Sequence, residues 1–169
     1  ILEVGLGTGL NACLTFAHAG ESEIHYTALE PFPLENIVLD ELNYGAWIDR
    51  KLFAALHDAV WNVSRPVAGN HSGSFKKLKI SIEDFRTDEK FNLVYFDAFA
   101  AHVHPELWTE KIFSKIFQML DKGGALVTYS AKGSVKRALK SCGFVVETLP
   151  GAPGKREMVR ASRPRQSSD

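Results

Sequence analysis

Cysteine is scarce. Cys13 and Cys142 are the only two in 169 residues, and no Cys/His spacing closes a metal site or a redox pair. A disulfide framework and a structural zinc site are therefore excluded as organising principles. Two free thiols buried in apolar, helix-like contexts suit a reducing compartment, and a cytoplasmic location is expected. No apolar run reaches the roughly 20 residues of a membrane-spanning helix, and no signal peptide stands at the start. Net charge is absent too: 20 Lys and Arg balance 20 Asp and Glu. No internal repeat and no linker marks a second domain. An initiating methionine is also missing, and Ile1 already lies in an apolar strand, so the natural chain is expected to begin upstream. What is present is ordinary for a soluble globular domain: 45% hydrophobic and 24% charged residues, in a chain long enough for one core.

The neutral total hides an asymmetry. From Lys132 onward nine Lys and Arg face only Glu147, Glu157 and Asp169, a net +6, and the 131 residues before carry −6. A basic end on an acidic body fits a polyanionic partner met by one edge, or else a solvated tail.

The chain is organised around its first stretch, Ile1-Leu2-Glu3-Val4-Gly5-Leu6-Gly7-Thr8-Gly9-Leu10-Asn11. A short apolar strand enters a glycine-spaced turn and a helix follows. Glycines there let backbone pass close to a ligand, and the free N–H groups of the helix start face whatever sits beside them. The spacing is G-x-G-x-G. The third glycine of the dinucleotide fingerprint is lacking, with Asn11 and Ala12 in its place. Glu3 before the turn completes E-x-G-x-G-x-G, which resembles motif I of the S-adenosylmethionine (SAM) dependent methyltransferases.

Strands are expected over residues 1–4, 23–29, 75–82, 91–96, 125–130, 143–149 and 155–161. Helices are expected over 10–19, 33–44, 46–59, 105–120 and 133–141, with residues 62–74 as the longest loop. Gly123-Gly124 should break the chain before the fifth strand, and the last strand should insert antiparallel at the far edge of the sheet. Residues 1–161 read as one domain and 162–169 as a disordered tail. The class is α/β, a Rossmann-like, mostly parallel seven-stranded sheet with an antiparallel last strand and helices on both faces.

Open α/β sheets bind ligands outside the carboxyl ends of their strands. Acidic residues fall there three times. Glu30, before Pro31, ends the second strand about 20 residues past the glycines, where a carboxylate can accept both ribose hydroxyls. Glu83 or Asp84 follows the third strand, where an adenine amino group needs an acceptor; a helix cap is the alternative. Asp97 ends the fourth strand beside the glycine turn. Phe99 is read as a wall for a base or as core, and Trp108, like Phe32, as a stacking surface or as helix-start packing. Lys155 and Arg156, at a tight reversal, are the candidate phosphate contacts, with Arg160 on an undetermined side. His102 and His104 flank the site loop without a ligand partner, so no metal is expected.

Several of these pieces together resemble a narrower family, the methyltransferase domain of the tRNA wobble-uridine enzyme MnmC and its stand-alone form MnmD. They are Glu3 to Asn11, Glu30-Pro31-Phe32-Pro33-Leu34, Asp97-Ala98-Phe99, Pro105-Glu106-Leu107-Trp108-Thr109 and Gly151-x-x-Gly154-Lys155-Arg156-Glu157-Met158. The resemblance runs from Ile1 to about Val159. It implies a class I methyltransferase sheet with SAM as donor and tRNA as partner. The methyl would pass to the amine of 5-aminomethyluridine, or its 2-thio form, at the wobble position. Glu3, Gly5, Gly7, Thr8, Gly9, Asn11, Glu30, Pro31, Asp84 and Asp97 would bind the cofactor. Asp97 would also position the amine and take its proton, with Phe99, Trp108, Lys155 and Arg156 on the substrate side. The chain departs from the family at Ala101, where proline is common, and at His102-Val103-His104. Its end soon after the last strand fits a stand-alone enzyme. Competing readings are a polyamine or small-molecule amine transferase, and a non-catalytic RNA-binding module on the same fold. An NAD(P) oxidoreductase loses on glycine spacing.

Overall fold

The computed structural model describes residues 1–46, 48–67, 72–151 and 153–165. The chain forms two compact units, one of residues 5–81 and one of residues 1–4 with 82–169.

The first unit holds the glycine turn, helix α1 (Leu10–Ala17), strand β2 (Ile24–Leu29), the short helix α2 (Asn36–Asp40), helix α3 (Arg50–Asp58), and strands β3 (Arg65–Pro66) and β4 (Gly73–Leu78). β2 and β4 run parallel, from Ile24 opposite Gly73 to Leu29 opposite Leu78. β3 adds an antiparallel pair to β4 inside the expected loop. Gly73 is required by close approach: a Cβ there would stand 2.0 Å from the Ile24 carbonyl oxygen. α1 buries Ala12, Cys13 and Phe16, one stripe of a 3.6-residue repeat. Phe16, Tyr26 and Phe75 cluster below it with ring centroids 5.8–6.3 Å apart. The expected helix over 33–44 is far shorter, α2 followed by a 3₁₀ turn at Asn43–Ala46. α2 buries none of its residues, so no packing extends it. α3 starts later than expected because Asp49 caps it, its Oδ1 accepting from the Lys51 and Leu52 amides at 2.6 and 3.2 Å.

The second unit contains strand β1 (Leu2–Val4), β5 (Phe91–Phe96), a 3₁₀ turn (Pro105–Trp108), helix α4 (Glu110–Met119), β6 (Leu120–Thr128), helix α5 (Gly133–Ser141), β7 (Val145–Pro150) and β8 (Glu157–Ser162). β1, β5 and β6 are parallel neighbours. β8 lies antiparallel between β6 and β7. The last strand is therefore inserted inside the edge, and β7 is the edge itself. Burial explains this: β8 buries Val159 and Ala161 completely, whereas β7 buries no residue. β6 runs through Gly123-Gly124 by way of a register shift against β5 between Phe91 and Leu93, so the glycines sit in the irregularity and do not precede the strand. α4 buries Ile112, Phe113, Ile116 and Met119. The single extended residue Thr109 separates it from the 3₁₀ turn, breaking the expected continuous helix.

Among the described residues the strands number eight, β3 being the one added to the expected seven. The chain also stays ordered past residue 161. Ser162 pairs within β8, and Arg163 exchanges backbone hydrogen bonds with Gly123 and Gly124 at 2.9 and 2.8 Å. The Arg163 guanidinium donates to the carbonyls of Phe117 and Leu120. Residues 166–169 of the expected tail lie outside the described residues. Cys13 is buried as expected, and Cys142 is half-buried, its Sγ 3.4 Å from the Glu110 carbonyl. No helix among the described residues is long and apolar enough to cross a membrane.

Candidate active site

In the first unit the glycine turn is tied to the end of β2. Gly5 and Leu6 both donate to the Leu29 carbonyl, at 3.0 and 3.2 Å. Glu30, the next residue, is 7% exposed and its carboxylate bridges two backbones. Oε2 accepts the Gly7 amide at 3.0 Å and Oε1 accepts the Phe32 amide at 2.9 Å. Each oxygen keeps a further acceptor site, so the pair can still take two hydroxyls. A Cβ on Gly7 would meet nothing within 4 Å, so this side of the turn is open. A nucleoside fits these residues: open backbone at Gly7, an anchored carboxylate, and a helix whose N-cap, Gly9, has no side chain to cap it. Pro31 is half-buried and Phe32 is 71% exposed. Thr8 hydrogen-bonds Tyr44 at 2.8 Å through its hydroxyl, and Asn11 is half-buried on α1.

Sequence reasoning missed the support beneath this turn. His57 of α3 lies with Nε2 3.1 Å from the Thr8 carbonyl, which can only accept, so Nε2 carries the proton. Its ring also packs against Gly9: a Cβ there would stand 3.1 Å from Nε2. With φ at +75°, Gly9 is doubly required. Burial, then the nearby Lys77 charge, hold the His57 pKa below its ordinary value. Lys77 is buried, donates to the His57 carbonyl at 2.5 Å and lies 4.7 Å over the Trp61 ring. Burial lowers its pKa as well. Gly7, Glu30, His57, Trp61 and Lys77 share the lining of a small cavity of about 50 Å³. Nothing in the helical pattern around His57 marks it; only the close approach to Gly9 does.

In the second unit Glu3 is fully buried on β1, opposite Tyr95. Asp97 follows β5, its amide on the Val4 carbonyl at 3.0 Å and its side chain exposed. The two residues after it are held by side chains. The Tyr129 hydroxyl donates to the Ala98 carbonyl at 2.9 Å, and Trp108 Nε1 donates to the Phe99 carbonyl at 2.8 Å. Phe99 itself is 60% exposed, with its ring 5.4 Å from that of His104. Trp108 is not a stacking surface. It is buried edge-to-face against Phe96 and Tyr129, at 5.0 and 5.9 Å, because the 3₁₀ turn points it into the core. Glu83 and Asp84 are exposed in a turn pinned from α4, where Lys115 donates to the carbonyls of Ile82 and Glu83 at 2.6 and 3.0 Å. β4 ends at Leu78, earlier than expected, so the acids belong to this turn and not to a strand end.

The basic residues divide. Arg160 is committed to Glu147, its cross-strand partner, at 2.7 Å. Arg156 is exposed. Lys155 places Nζ 3.9 Å over the Tyr129 ring. Burial, then the Asp97 charge, raise the Tyr129 pKa. Tyr129 was also missed, although it follows the end of β6 and the rule that flagged Asp97 applies to it. His104 pairs with Glu106 at 2.8 Å. Among the described residues no group of three His, Cys, Asp or Glu could hold a metal ion.

A glycine turn leading into helix α1, an anchored carboxylate after β2 and an exposed carboxylate after β5 are the marks of a class I methyltransferase. The chain belongs to the S-adenosyl-L-methionine-dependent methyltransferase family whose profile matches residues 50–164. It is similar to the tRNA 5-methylaminomethyl-2-thiouridine biosynthesis bifunctional protein MnmC of Paracidovorax citrulli, with 30% identity over 95% of this chain and 27% of that protein. The same protein of Paraburkholderia xenovorans is 30% identical over 94% of this chain and 26% of its own length. The chain thus spans about a quarter of the length of these curated relatives. The crystal structure of MnmC2 from Aquifex aeolicus superposes with a TM-score of 0.75 at 26% identity, over 97% of this chain and 53% of that one. The N-methyltransferase NodS from Bradyrhizobium japonicum, in complex with S-adenosyl-L-homocysteine, shares the fold: TM-score 0.58, 14% identity, 97% of this chain and 77% of that one.

Proposed function

We propose that the chain is a SAM-dependent N-methyltransferase acting on tRNA. It would convert 5-aminomethyluridine, or its 2-thio form, at the wobble position to the 5-methylaminomethyl product. The observation that carries the reading is Asp97, an exposed carboxylate ending a core strand, on a backbone held at its next two carbonyls. The similarity to the MnmC proteins, whose name states a role in tRNA 5-methylaminomethyl-2-thiouridine biosynthesis, supports the acceptor.

Bound SAM supplies a methyl on a positively charged sulfur, open to in-line attack by a nucleophile. The chain's residues supply alignment. Gly5, Gly7 and Gly9 leave the turn open, with Thr8 and Asn11 beside them, and Glu30 next to Pro31 takes the ribose hydroxyls. Asp84 takes the adenine amino group. Glu3, fully buried before the turn, acts from within its strand. Asp97 orients the acceptor amine and receives its proton, directly or through water. A carboxylate also stabilises the ammonium form, so its benefit lies in orientation and in a nearby proton acceptor. Phe99, exposed, walls the base, and Arg156 meets phosphate.

The test is methyl transfer from labelled SAM to three acceptors: tRNA carrying 5-aminomethyluridine, the same tRNA with unmodified uridine, and spermidine. Label on the first alone is expected, and Asp97→Ala should lower that rate by about 10²–10⁴. Label on spermidine alone would replace this reading with polyamine chemistry. SAM binding with no label anywhere would leave the cofactor standing and the acceptor wrong.

A further inference from the structure

The geometry points to the ring face of Tyr129 as a cation seat beside Asp97, taken by Lys155 in the free protein and by the acceptor's charged amine in the complex. This rests on the proposed amine acceptor. Three observations converge on the ring. Its hydroxyl is fixed on the Ala98 carbonyl at 2.9 Å, directly after Asp97. The edge-to-face contact with Trp108 at 5.9 Å holds the ring from the core side. Burial first, and then the Asp97 charge, raise its pKa, in keeping with a hydroxyl seated on the residue next to that carboxylate. The ring thus cannot turn away, and an ammonium already stands 3.9 Å over its centroid.

That ammonium shows what the face accepts. An aromatic face attracts a cation through its quadrupole, more strongly when water is excluded, and a carboxylate nearby adds to the same preference. A 5-aminomethyl group is an alkylammonium on a short tether, the same chemistry as the tip of a lysine. Lys155 itself is exposed, on the β7–β8 turn, at the end of a flexible stem. Displaced from the ring by the incoming amine, it turns out into solvent, so the lysine fills the seat only in the free protein.

The seat makes Tyr129 a residue that discriminates charged from neutral acceptors. The experiment compares binding of two anticodon stem-loop RNAs to the full chain. One carries 5-aminomethyluridine and the other the neutral isostere 5-hydroxymethyluridine. The preference is the ratio of their dissociation constants, in which phosphate contacts cancel. Tyr129→Leu should reduce the preference about tenfold. Tyr129→Phe, which keeps the face and loses the hydroxyl, should stay within about twofold of the wild type. Lys155→Gln, which leaves the core untouched, should raise the preference by a few-fold because the seat is no longer contested. A Tyr129→Leu preference equal to the wild type would overturn the proposal. So would a loss in Tyr129→Phe equal to that in Tyr129→Leu, or a Lys155→Gln preference at or below wild type. A wild-type protein that binds neither RNA would instead sink the tRNA reading, and the seat with it.

Discussion

Glu30→Ala should both loosen the glycine turn and weaken SAM binding, and the two effects can be sized. The buried carboxylate holds two backbone N–H groups, those of Gly7 and Phe32, at 3.0 and 2.9 Å. A hydrogen bond to an ionised acceptor contributes about 1.5–3 kcal/mol net. Gly7 is exposed, so water recovers part of that loss, and a total of about 2–4 kcal/mol remains. For a chain of 169 residues each kcal/mol moves the melting temperature by about 2–4 °C, so a fall of about 4–16 °C is expected in a thermal melt without ligand. Loss of an acceptor for the ribose hydroxyls should raise the SAM dissociation constant by about 30-fold or more in calorimetry. Glu30→Gln keeps one acceptor oxygen but turns an NH₂ toward a donor, so it should recover only part of both losses. A melting temperature within about 2 °C of wild type would refute the clamp. A large thermal loss with unchanged SAM affinity would keep the clamp and refute the ribose role.

His57 ties stability to pH. Its folded pKa lies below the ordinary value of 6.5, so below that pH the unfolded chain takes up a proton before the folded one does. Its contribution is therefore complete above about pH 6.5 and is lost as pH falls further; melting temperatures from pH 7.5 to 5.5 should show the decline, and His57→Gln should flatten it while its amide still reaches the Thr8 carbonyl. A wild-type profile that stays flat on acidification, with His57→Gln no different, would show that His57 charges freely in the fold. Trp108→Ala should lower unfolding free energy in urea by about 3–5 kcal/mol, as core aromatics do. Trp108→Phe should cost mainly the bond to the Phe99 carbonyl, about 1 kcal/mol, plus any void its smaller ring leaves; an Ala variant as stable as wild type would put the ring back at the surface.

The chain's own order made the glycine turn, Glu30 and Asp97 legible, because each rests on a local rule. Turns that need left-handed φ select glycine, and parallel strands present their carboxyl ends to ligands whatever surrounds them. Periodicity likewise placed β5 and α5 residue for residue, since their patterns are long and unbroken. The basic reversal at Lys155-Arg156 was visible in charge alone. Only tertiary structure could decide the rest, because it depends on what lies across space. Trp108 reads equally as surface or core until Phe96 and Tyr129 close on it. Arg160 has no determined side until the register sets Glu147 opposite. β8 becomes an inner strand because its apolar residues find cover that β7 does not. His57 and Tyr129 belong to no motif; one packs on a glycine 48 residues earlier and the other donates to a carbonyl 31 residues earlier. A sequence records local conformational preference directly, but a hydrogen bond between distant residues exists only once the chain has folded around both.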